Sequence, residues 1–144
     1  MKNGLLSIAL IALVACAAVP AIRWLPASDY ALAVTDNPGA QRFDVTLISR
    51  ARAAMCVSSE SWPTLGALPA GFDGATIVLS GGARNLLPTG SAYCPGGCGD
   101  VRLEPGQQLQ GQIPYSAFGD AAEIAADGER SLGFQVHPYE CAVR

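Results

Sequence analysis

Five cysteines, one histidine and a scatter of carboxylates are the residues of this 144-residue chain best suited to chemistry. The densest group is "YCPGGCGD", Tyr93 to Asp100, in which Cys94 and Cys98 enclose a Pro-Gly-Gly turn. Paired cysteines serve thiol exchange, metal binding or cross-linking. Exchange favours a C-x-x-C pair at a helix N-terminus, where the thiolate is stabilised; here three residues intervene and a strand-like "DVRLEP" follows. Zinc would take all four downstream cysteines as ligands, a poor use of thiols in an oxidising compartment. A structural disulfide is therefore expected, with no metal and no other cofactor. His137 is the sole imidazole and would have to serve any Ser-His-Asp triad. It lies beside Gln135 on the polar side of a terminal strand pattern, no G-x-S-x-G elbow accompanies it, and a solvated side chain is expected. "GGCGD" fits neither the dinucleotide fingerprint nor the P-loop. Asp100, Glu104 and Asp120 are spread over turns, with no pair set by periodicity for acid-base work. No catalytic residues are expected, and the chain is taken as non-enzymatic.

What must position these residues is bounded by length and composition. The length suits one domain. A net charge of −3, with nine Lys and Arg scattered singly, offers no footprint for a phosphate backbone, so nucleic acid is not an expected partner. Sixteen Gly and ten Pro punctuate the chain too often for long helices.

The N-terminus has the parts of an export signal: Lys2, then the apolar stretch "LLSIALIALV", then "LVAC" at Leu13 to Cys16. This tetrapeptide resembles the lipobox of bacterial lipoproteins at all four positions. The resemblance implies cleavage before Cys16, diacylglycerol on its thiol and three acyl chains, palmitate among them. At about 0.8 kcal/mol per buried methylene, such chains exceed the threshold for stable anchoring. Residues 1–15 would be a signal peptide, and the protein would sit in the cell envelope, on the periplasmic side of a membrane. Cleavage after Ala18 or Ala21, giving a soluble exported protein, and an uncleaved anchor are the competing outcomes. The segment that follows, with Trp24, Leu25, Tyr30 and Leu32, is too apolar for a plain tether, so residues 16–41 are expected to pack in part on the domain.

Setting Cys16 aside leaves Cys56, Cys94, Cys98 and Cys141, an even number in an exported chain. Of three connectivities, the turn between Cys94 and Cys98 favours pairing those two, which leaves Cys56 with Cys141. The short ring would shape a loop, and the long bridge would hold the fold.

Residues 42–144 read as a β domain. In "RFDVTLISR", Phe43, Val45 and Leu47 alternate with Asp44 and Thr46. "AAMCVSS", "ATIVLSGG", "DVRL" and "QQLQGQIPY" follow as short strands between turns, and Leu132, Phe134 and Val136 share a face of the last. One helix is expected at "GDAAEIAADG", capped by Asp120 with Glu123 in capping-box position and ended by Gly128. Six or seven short strands with frequent turns indicate an antiparallel β-sandwich. The order of "CV", "WP" and "LEPGQQLQGQIPY" before a final strand resembles the small immunoglobulin-like domains of exported bacterial proteins, which implies a fold and no function. The expected function is a protein-binding envelope lipoprotein, as an inhibitor or immunity factor would be, with Tyr93 and Asp100 of the cystine loop as binding residues. An accessory subunit of an envelope complex and, last, a thiol-redox or hydrolytic enzyme are the alternatives. Trp62, Tyr93, Tyr115 and Tyr139 suit either an interface or the core, with packing favoured for Trp62.

Overall fold

The computed structural model describes residues 21–63, 68, 74–87 and 98–141. Cys16, Tyr93 and Cys94 therefore lie outside the described residues. Among the described residues nine strands and one short helix follow one another: β1 (Tyr30–Asn37), β2 (Arg42–Ser49), β3 (Met55–Ser58), β4 (Ala75–Leu79), β5 (Gly82–Asn85), β6 (Asp100–Leu103), β7 (Gln108–Pro114), α1 (Ala121–Ala126), β8 (Ser131–Phe134) and β9 (Tyr139–Glu140). They form three antiparallel three-stranded sheets, ordered β1-β2-β7, β6-β3-β9 and β5-β4-β8. The architecture is all-β and sandwich-like.

Alternation builds the first sheet. Phe43, Val45, Leu47 and Ser49 of β2 are buried, while the residues between them are half-buried. The "NPGA" turn is a 3-10 turn in which the Asn37 side chain accepts from the Ala40 N–H, and it feeds β1 into β2 in full register from Tyr30↔Ser49 to Asn37↔Arg42. Much of the described part of segment 16–41 is thus a complete edge strand, Tyr30–Asn37. The other two sheets share a single stretch of chain: residues 131–134 pair with β4, and residues 139–140 pair with β3.

Three strands exceed the six legible as patterns, each for a physical reason. β1 (YALAVTDN) has no clean alternation, because it borders solvent along most of its length. β5 (GARN) closes a tight hairpin whose Gly82 takes φ 118°, so its glycine reads as a turn. β9 has two residues.

One core serves all three sheets, joining Phe43, Val45, Leu47, Met55, Val57, Ile77, Ile113 and Phe134, among others. Trp62, only 1% exposed, acts as a pin between them. Its indole N–H donates to the Gln110 carbonyl at 3.0 Å, and its ring meets Phe134 edge-on. The pin fits because β7 carries Gly111 there: a Cβ would lie 2.9 Å from Pro63 Cγ and 3.0 Å from Trp62 Nε1.

α1 forms as its cap dictates, with Asp120 accepting from the N–H groups of Ala122 and Glu123. Glu123 turns outward to pair with Arg84 of β5 rather than back to the cap. Asp127, not Gly128, closes the helix, and its carboxylate binds the Ser80 hydroxyl and N–H between β4 and β5. Behind the helix, the buried Tyr115 donates its hydroxyl hydrogen to Asp36 and accepts from Arg130 Nε at 2.8 Å. Arg130 also bonds Asp36 at 2.8 Å and the Ala125 carbonyl at 3.0 Å, tying β1 to the far side of the domain. Burial first, and the Asp36 carboxylate second, push the Tyr115 phenol above its ordinary range.

Candidate functional site

The sheet β6-β3-β9 separates its side chains cleanly. Met55, Val57 and Leu103 enter the core. Cross-strand partners share a face, so Cys56 stands with Arg102 and Tyr139, and Ser58 with Asp100, on the opposite, outer side. Two devices stiffen that side. Cys56 is disulfide-bonded to Cys141, as the cysteine spacing predicts, with Cα atoms 5.0 Å apart. The Tyr139 hydroxyl donates to Asp100 across β3. Burial, and then the Asp100 carboxylate, push the Tyr139 phenol up to about 12.

The chain ahead of β1 extends the same sheet. Trp24 forms a bridge with Tyr139, with Glu140 N–H donating to the Arg23 carbonyl at 2.9 Å and Leu25 N–H to the Pro138 carbonyl at 2.9 Å. Leu25 packs inward while Trp24 faces out. The Trp24 ring meets Tyr139 edge-on at 5.7 Å and His137 at 6.2 Å. The three rings border an open cleft of about 290 Å³, floored by Val136 and rimmed by Ser58 and Gln135.

Of the residues singled out by type and spacing, Asp100, Cys56, Cys141 and His137 converge on this face. Cys98 adjoins it and is disulfide-bonded; Gly99 next to it accepts from the Ser59 N–H at 3.0 Å. Its expected partner Cys94, with Tyr93, falls outside the described residues. Trp24 is what pattern reading misses: it sits in a segment read as a partly packed lead, and only the pairing of chain ends brings it to Tyr139.

His137 is exposed, and its ring lies against Trp24. Among the described residues no group of three His, Cys, Asp or Glu could hold a metal ion, and no helix is long and apolar enough to cross a membrane. Tested against protein-family models, curated proteins and solved structures, the chain matches none.

Proposed function

We propose that the protein is a cell-envelope lipoprotein, anchored through Cys16, whose outer β6-β3-β9 face binds another protein of the envelope without transforming it. One observation carries the binding half: an aromatic and acidic surface, Tyr139 with Asp100, held ordered by a disulfide and a sheet. Tyrosine on a rigid support supplies contact area at small ordering cost, which is what a recognition surface needs. Cys98 and Gly99, which lead into β6, border that surface. The anchoring half rests on the "LVAC" motif and on the apolar residues before it.

The two halves have separate tests. For anchoring, Cys16→Ser should release the mature protein from the membrane fraction and abolish lipid labelling; unchanged fractionation would refute it. For binding, tagged wild type and Asp100→Ala protein are compared in affinity purification from envelope extract. A partner recovered by the first and depleted with the second supports the assignment. Equal recovery removes this face from it.

A further inference from the structure

Ile22 and Trp24 are the two most exposed large apolar residues among those described, at 59% and 58%, and they are neighbours. Two residues apart on a strand-like lead, they project to one side. Arg23 between them points the other way, toward Glu140 at 3.1 Å. Water-exposed indole and isoleucine side by side on a monomer call for a cover.

The chain itself indicates which cover. Ile22 is six residues from Cys16, and the intervening "AAVPA" carries no charged or polar side chain. Six residues span at most about 20 Å fully extended. A domain of this length is about 35 Å across, from a radius of gyration near 14 Å. A tether shorter than the body it holds keeps the end bearing Ile22 and Trp24 against the surface where the anchor is seated. That surface has a zone suited to these residues, since Trp and Tyr concentrate at the level of lipid headgroups.

We infer that the rim formed by Ile22 and Trp24 docks on the bilayer that holds the Cys16 acyl chains, Trp24 lying at headgroup level and Tyr139 staying with the protein-binding face. The inference rests on the anchoring half of the proposed function. The chain is net negative at −3, so attraction to anionic lipid contributes little and docking is by apolar and aromatic burial, insensitive to salt. A partner contacting Asp100 is then met close to the membrane surface, which restricts it to proteins embedded in or lying on the same membrane.

The test uses the mature protein purified from membranes and reconstituted into phosphatidylethanolamine and phosphatidylglycerol vesicles whose acyl chains are brominated near the glycerol. The chain has two tryptophans, and Trp62 is buried in the core. Bromine contact with Trp24 alone should therefore lower the emission by about half, at low and high salt alike, and the loss should vanish in Trp24→Phe. Intact mass reports the acyl groups on Cys16 in the same sample. Acylated protein with undiminished emission overturns the docking and leaves the anchor standing, with Trp24 facing water or a protein partner. Protein without acyl mass overturns the anchor and the docking with it.

Discussion

Replacing Cys56 and Cys141 together by alanine is expected to remove about 4.5 kcal/mol of unfolding free energy. That is the chain-entropy value for a cross-link closing a sequence separation of 85. Domains of this size are stable by about 5–15 kcal/mol, so the loss is about three-tenths of the total or more, equivalent to roughly 15 °C in melting temperature. The effect has a second part that the geometry localises. β9 pairs with β3 over only two residues, and the Trp24 lead hangs in turn on Pro138 and Glu140. Without the bond these ends should open first, and the amides of Leu25 and Glu140 should lose exchange protection before those of β2. Urea unfolding of the double variant, which leaves the Cys98 disulfide in place, measures the first part; hydrogen exchange measures the second. The denaturant slope should rise, because an unfolded chain freed of its cross-link exposes more surface. A change below about 1 kcal/mol, or a full loss with an unaltered slope, would show that the bond does not act through the unfolded chain.

Gly111→Ala should cost about 1–3 kcal/mol, since its Cβ would press on the Pro63 carbonyl and on Trp62 Nε1; chemical denaturation with a shift in Trp62 emission checks it, and unchanged stability would mean that the 62–63 turn yields. Tyr115→Phe keeps the ring against Phe43 but removes the hydroxyl shared by Asp36 and Arg130, for a loss of about 1–2 kcal/mol in the same assay. For Tyr139, the folded state holds its proton more tightly than the unfolded chain, so the associated stability is complete below pH 10 and disappears as pH rises toward 12. Phenolate absorbance, taken as the difference from Tyr139→Phe, should show ionisation near 12, and Asp100→Asn should lower it; ionisation at the ordinary value of 10 would contradict the hydrogen bond to Asp100 and the partial burial of the ring.

The sequence carried the parts of the fold that local physics decides. β2 is legible because its alternation matches the period of a strand with one buried face. α1 is legible because Asp120 caps it as its position demands. The Cys56 pairing follows from the elimination of a pair closed by a turn. What stayed hidden depends on long-range pairing. Asp100 and His137 attracted notice separately, as a loop carboxylate and a lone imidazole, and nothing between positions 100 and 139 announces that Tyr139 joins them. Trp24 read as an apolar lead because its bridge to Tyr139 spans 115 positions, beyond any local pattern.

The pairing of chain ends also orders events in time. A chain made from its N-terminus presents Cys56 and Cys98 well before Cys141. Oxidation that keeps pace with emergence joins consecutive thiols, whereas the bond from Cys56 to Cys141 encloses Cys98 and is not consecutive. Cys56 must either wait or be reshuffled, a step of seconds to hours depending on oxidant and isomerase. Maturation of this protein should therefore lean on a disulfide isomerase more than its size suggests, and the bridge from Trp24 to Tyr139 is held fast only once that last bond is made.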